Sequence, residues 1–125
     1  DWRLIAGIDE SRQSSSRMAA AQAEKYLAQH YMREDLSLED LCLHLHLSTS
    51  YFSAIFKKET RKTFHQYLTE LRMDRALTLL SGSDLRTAQV AREVGLPDPS
   101  YFSYCFKKHF GFPPSQARKG RPAQP

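Results

Sequence analysis

Nothing in this 125-residue chain approaches the run of about eighteen consecutive apolar residues that a membrane-spanning helix needs, and no charged-then-apolar leader ends in small residues. A soluble protein with neither a membrane span nor a secretory signal is expected. Cysteine is almost missing. Cys42 and Cys105 lie far apart in separate helical-period segments, which suits reduced, packed thiols and a cytoplasmic setting better than a disulfide framework. No glycine-rich loop follows a strand-like run, so a phosphate cradle of the nucleotide-binding kind is not expected. Cys42, His44 and His46, spaced by two, point to different sides of a helix and make a poor metal centre. No cofactor is implied. The carboxylate pairs Glu34-Asp35 and Glu39-Asp40 stand at helix starts, where they complement the macrodipole and do not read as an acid-base pair. The sequence opens at Asp1 without an initiator methionine, from which a longer parent with a missing partner domain is expected.

What is present is an uneven charge. Residues 1–50 carry five Lys/Arg against eight Asp/Glu, and residues 51–125 carry thirteen against six, within an overall charge of +4. A basic half on a compact domain is the footprint of a polyanion partner, because Lys and Arg that displace counterions from phosphates gain binding free energy. Charge alone does not separate this from a solvated basic face.

The architecture follows from an internal repeat. Ser50-Tyr-Phe-Ser-Ala-Ile-Phe-Lys-Lys58 laid over Ser100-Tyr-Phe-Ser-Tyr-Cys-Phe-Lys-Lys108 gives seven identities in nine at an offset of fifty. Upstream, Leu41, Cys42, Leu45 and Leu47 match Val90, Ala91, Val94 and Leu96 at an offset of forty-nine. The second copy therefore holds one extra residue between its two helices, and the repeated unit is helix, turn, helix. The alternation of Leu41, Leu43, Leu45 and Leu47 imitates a strand, but Ser37-Leu-Glu-Asp40 starts a helix and Val90-Ala-Arg-Glu-Val94 keeps helical spacing. Leu43 is then left on the surface.

The remaining segments fall into helices by the same period, giving an all-α fold of about seven helices. Residues 1–17, with the Ser14-Ser15-Ser16 run as linker and cap, precede a first helix over 18–32 whose stripe is Ala20, Ala23, Leu27 and Tyr31. The first helix-turn-helix subdomain spans 18–62, a linker helix with the stripe Phe64, Leu68, Leu71 and Leu79 spans 63–81, and the second subdomain spans 82–119. Asp98-Pro99 and Ser48-Thr49 are start signals of the two second helices. Residues 114–118 form a last short helix, and 120–125 read as a frayed tail. No heptad seam is visible, so a monomer is expected.

In the helix after Ser48, Phe52, Ile55 and Phe56 fall on one side and leave Ser50, Ser53, Ala54 and Lys57 on the other; Phe102, Cys105 and Phe106 are likewise opposed to Ser100, Ser103, Tyr104 and Lys107. In Tyr51-Phe52 and Tyr101-Phe102 the phenylalanines read as core. A helix offered to a major groove needs an outward face of small polar residues with a cation at its edge. A merely solvated face would carry Glu, Lys and Gln, which have better helix propensity than serine.

These residues resemble the AraC-type DNA-binding domain over about 19–119. The second unit, from Val90-Ala91 through Val94-Gly95-Leu96, Ser100-Tyr101-Phe102, Phe106-Lys107-Lys108 and Phe110-Gly111 to Pro114 and Arg118, carries the family's signature. The first, Ser50 to Ser53, Phe56 to Thr60 and Tyr67 to Arg72, is most similar to output domains of two-component response regulators. Four residues depart from the pattern. Arg61 stands where the family has a helix-ending glycine, so that turn is strained or rearranged; Leu96 replaces an aromatic, Pro113 a capping hydroxyl and Ala117 a tyrosine.

The resemblance implies sequence-specific binding of double-stranded DNA by two recognition helices, 49–58 and 99–109, in successive major grooves. Thr49, Ser50, Ser53 and Ala54 of the first and Pro99, Ser100, Ser103 and Tyr104 of the second would read bases, with Lys57, Lys58, Lys107 and Lys108 on phosphates. It also implies a receiver or ligand-sensing domain upstream and contact with RNA polymerase. No catalysis is expected: a DNA-repair methyltransferase with a related double helix-turn-helix would need four cysteines on zinc, and the chain has two. A helical protein-interaction module without DNA binding stays open, because Ser53 and Ala54 are chemically bland.

Overall fold

The computed structural model describes residues 2–118, with side chains described from Arg12 onward. Seven helices follow one another without a strand among the described residues: α1 (Trp2–His30), α2 (Leu38–Leu45), α3 (Thr49–Thr60), α4 (Phe64–Gly82), α5 (Thr87–Glu93), α6 (Pro99–Phe110) and α7 (Pro114–Arg118). The expected tail, 120–125, lies outside the described residues. The chain divides into two compact units, residues 1–29 with 36–67 and residues 30–35 with 68–125.

In the first unit, α1 runs straight through Ser14-Ser15-Ser16, so these serines are neither linker nor cap. The reason lies in Ser16, only 6% exposed, which continues the buried stripe of Ala20, Ala23 and Leu27 one turn upstream. Burial on a helical face outweighs the modest helix propensity of serine. The helix ends at His30 and not at residue 32. α2 is a helix, not a strand: the Ser37 hydroxyl accepts from the Asp40 amide at 3.1 Å, and Leu43 stands 75% exposed. The Tyr26 ring lies 4.5 Å from that of His44, joining α1 to α2. Phe52, Ile55 and Phe56 of α3 are buried. Phe56 meets Tyr67 edge-on at 5.4 Å, and the Tyr67 hydroxyl donates to Glu24 at 2.9 Å.

The start of α4 is a reciprocal cap. The Thr63 amide donates to Gln66 Oε1 at 2.9 Å, and the Gln66 amide donates to Thr63 Oγ1 at 3.1 Å. This helix is not a free-standing linker over 63–81, because Met73, Ala76 and Leu80 form part of the second core with Val90, Ala91, Val94, Phe102, Phe106 and Ala117. Its buried face also differs from the expected stripe. Leu68 is buried, but Phe64, Leu71 and Leu79 are only half-buried, and Arg72 takes a place in the interior.

Arg72 is tolerated there because its guanidinium is satisfied. Nε donates to the Tyr31 carbonyl and Nη2 to the Arg33 carbonyl, each at 2.8 Å, in the segment that follows the end of α1. Desolvation holds its pKa below the usual arginine value, yet arginine stays charged in proteins. At the far end of the second unit, Arg118 of α7 donates to the carbonyls of Ser83 and Leu85, fixing the loop between α4 and α5.

The repeat is visible in the backbone as well as in the side chains. The amides of Leu47 and Leu96 return to the carbonyls of Cys42 and Ala91, at 3.0 and 2.9 Å, so both first helices end in the same wrapped turn. The residues at its crest, His46 and Gly95, have φ of 60° and 87°. A second pair, Arg61 and Gly111, ends α3 and α6 with φ of 65° and 85°. Copy two places glycine at both left-handed positions and copy one at neither. The turn after α3 therefore keeps its geometry with a non-glycine residue and is not rearranged.

Candidate nucleic-acid interface

Each unit presents one helix with the same construction. In α3 the Ser48 hydroxyl accepts from the Tyr51 amide at 3.2 Å. In α6 the Asp98 carboxylate accepts from the amides of Ser100 and Tyr101 at 3.0 and 3.5 Å, with Pro99 opening the helix. Such caps satisfy amides that would otherwise be orphaned at a helix start. Phe52 and Phe56 in one helix, and Phe102 and Phe106 in the other, are fully buried anchors that fix which face turns outward.

On α3 the outward face consists of Thr49, Ser50, Ser53 and Ala54, all exposed, followed by exposed Lys57 and Lys58. On α6, Pro99, Ser100, Tyr104, Lys107 and Lys108 are exposed, but Ser103 is half-buried, as is Cys105, which the helical spacing assigned to the core. Ser103 thus presents less of itself than its counterpart Ser53. Both lysine pairs lie in the last turns of their helices, where the negative end of the macrodipole also favours cations.

The tyrosines that precede the buried phenylalanines are on the surface. Tyr51 and Tyr101 stand 48% and 50% exposed at equivalent positions of the two copies. Helical geometry accounts for this, because a residue immediately before a buried phenylalanine is turned about 100° from it around the helix axis. On α6, Tyr101 is one of a pair. Its ring stacks with that of Tyr104 at 6.4 Å and 26°, and the Lys108 ammonium lies 5.9 Å from the Tyr104 ring centre. Interaction with the neighbouring Cys105 thiol raises the Tyr101 pKa above the usual phenol value. Copy one has Ala54 where Tyr104 stands.

Among the described residues, no three His, Cys, Asp or Glu side chains are grouped so as to hold a metal ion, and Cys42 is buried while His44 packs on Tyr26. Asp40 is in the first turn of α2, as is Glu39, whereas Asp35 lies ahead of that helix and pairs with Arg33 at 3.2 Å. No helix among the described residues is long and apolar enough to cross a membrane.

Two helix-turn-helix units, each with a capped second helix that exposes small residues and carries a lysine pair in its last turn, define a DNA-reading protein. The comparisons agree. A family model described as a helix-turn-helix domain matches residues 41–120. The Msm operon regulatory protein of Streptococcus mutans is 34% identical over 115 residues, covering 92% of this chain and 41% of its own length. The chain thus spans about two fifths of that relative's length. Among solved structures, the C-terminal domain of AraT, a response regulator from Geobacillus stearothermophilus, aligns with a TM-score of 0.80 and 35% identity, covering 82% of this chain and 85% of that one. A transcriptional regulator with an AraC-type DNA-binding domain from Chromobacterium violaceum aligns with a TM-score of 0.77 and 25% identity, covering 90% and 98%. The chain belongs to the AraC-type helix-turn-helix family of DNA-binding domains.

Proposed function

We propose that this chain is the output module of a bacterial transcription regulator, in which α3 and α6 enter successive major grooves of double-stranded DNA. The observation that carries the reading is the repetition of one surface: capped helix start, buried phenylalanine pair, small outward residues and terminal lysines, at a constant offset of fifty. In this reading Thr49, Ser50, Ser53, Ala54, Pro99, Ser100, Ser103 and Tyr104 face base edges, and Lys57, Lys58, Lys107 and Lys108 face phosphates. Consecutive major grooves on one face of the duplex lie about 34 Å apart, so the site for one chain spans roughly two helical turns and is not palindromic.

An upstream receiver or ligand-sensing domain fits the likeness to response-regulator C-terminal domains, and contact with RNA polymerase fits a regulator of transcription. Selection of bound duplexes from random sequence, followed by affinity measurement at fixed salt, tests the central claim. A defined two-part motif is expected, and Tyr104→Ala should flatten one part more than Ser53→Ala flattens the other. Binding to all duplexes alike, or to none, would leave α3 and α6 as surfaces for a protein partner.

A further inference from the structure

We propose that Tyr101 and Tyr104 form an aromatic ledge that reads the C5 methyl group of a pyrimidine in the major groove. The inference rests on the reading of α6 as a groove-entering helix and names what that helix recognises. Neither outward face carries Arg, Asn or Gln in a base-facing position, so the bidentate hydrogen bonds that distinguish guanine and adenine are not supplied there. Two tyrosines remain on α6, one turn apart, with 50% and 61% of their surface open.

The two rings are held before any DNA arrives. They stack at 6.4 Å, and Lys108 stands 5.9 Å from the Tyr104 ring centre. A side chain fixed in advance loses less rotamer freedom on binding. What a stacked pair of aromatic faces offers a groove is apolar area with a polar rim. The group that matches it is the C5 methyl, the one apolar feature that base pairs display in the major groove. Ser100 and Ser103, small and on the same helix, leave room for the rings to approach. Copy one cannot do this, since it has Ala54 at the second ring's position and only Tyr51 at the first. Methyl reading therefore belongs to α6 alone.

Thymine carries that methyl group in every duplex, and 5-methylcytosine carries the same group where cytosine is methylated. The test uses the full chain and a duplex obtained by sequence selection. Each dT is replaced in turn by dU, which removes the methyl and nothing else, and affinity is read by fluorescence anisotropy at fixed salt. At one or two positions the replacement should weaken binding on the order of fourfold, the factor that corresponds to about 0.8 kcal/mol per buried methyl-sized group. Placing cytosine and then 5-methylcytosine at those positions should show a gain of similar size from the methyl.

Tyr104→Ala should bind dT and dU equally, Tyr104→Phe should keep the difference, and both should retain the parent's helical circular dichroism because the side chain is exposed. Equal affinity for dT and dU at every position overturns the proposal. So does a dT preference that survives Tyr104→Ala, a selected duplex without thymine, or equal binding of cytosine and 5-methylcytosine. Failure to bind any duplex overturns the DNA reading as a whole, and is told apart by the absence of affinity for every sequence.

Discussion

A side chain on Gly95 would collide with the group that Arg72 serves: a Cβ there would lie 3.0 Å from the Tyr31 carbonyl oxygen and 3.1 Å from Arg72 Nη2. The Tyr31 carbonyl is the one to which Arg72 Nε donates at 2.8 Å, and the Met32 carbonyl lies at 3.0 Å on the same side. Two requirements coincide at this glycine, a left-handed backbone and a space bounded by backbone atoms that cannot swing away. Gly95→Ala should therefore destabilise the fold by about 2 to 4 kcal/mol, above the roughly 1 to 2 kcal/mol of the left-handed conformation alone. A urea titration that shows a loss under about 1 kcal/mol would mean that the 31–33 segment yields easily.

Removing the other member of the pair tests the same contact from the opposite side. Arg72→Met keeps an unbranched side chain but leaves two carbonyls without their donor, which should cost about 2 to 4 kcal/mol at about 1 to 3 kcal/mol per orphaned group when only partly rehydrated. Arg72→Lys, with a single ammonium in place of the two-pronged guanidinium, should fall between Met and the parent. The readout is the urea midpoint with the slope unchanged.

Arg61 supplies the contrary case, an exposed left-handed position without glycine. Arg61→Gly removes a conformational penalty of about 1 to 2 kcal/mol and adds about 0.5 to 1 kcal/mol of unfolded-chain freedom. A net gain of about 0.5 to 1 kcal/mol in thermal or chemical denaturation is the expected result. His46→Gly should gain less, because histidine is among the residues that visit this region more readily.

The start of α6 carries a charge that DNA binding has no use for. Asp98 is exposed and its carboxylate caps the amides of Ser100 and Tyr101. Asn caps as well as Asp, so Asp98→Asn should leave stability within a few tenths of a kcal/mol while tightening DNA binding through the loss of a negative charge beside phosphates. Asp98→Ala should lose about 1 kcal/mol of stability. Affinity and denaturation measured on the same two variants separate the cap from the charge.

Lys57 and Lys107 stand in the last turns of their helices at equivalent, exposed positions. Replacing either by Ala should lower the slope of log affinity against log salt by about one and weaken binding to all duplexes alike. An altered base preference with the slope intact would assign these lysines to a different task.

Much of this was legible in the sequence, and the parts that were not share a cause. The repeat at Ser50 and Ser100, the caps at Ser37, Ser48 and Asp98, and the exposed Leu43 all follow from local spacing and from the chemistry of helix ends. Ser16 and Arg72 were missed as interior residues because a helical stripe read by apolarity alone skips polar residues that are buried. Arg72 is inside because two carbonyls more than thirty residues away in sequence accept from it. Ser16 is inside because a small side chain fits where Ala20 and Ala23 also fit. The partners of Arg72 lie far outside a helical turn of it. The outward serines and lysines were placed correctly by the buried phenylalanines, with Ser103 more covered than expected.

The unequal distribution of glycine between the copies also determines how each half tolerates drift. Copy two has two left-handed turns occupied by the residue suited to them, and at Gly95 nearly every replacement is a loss. Copy one departs from that requirement at both turns, holding His46 and Arg61, where a change to glycine is neutral or favourable. A saturation library scored for folded protein would therefore be lopsided, with two sharply intolerant positions missing from one half of a chain that otherwise repeats itself.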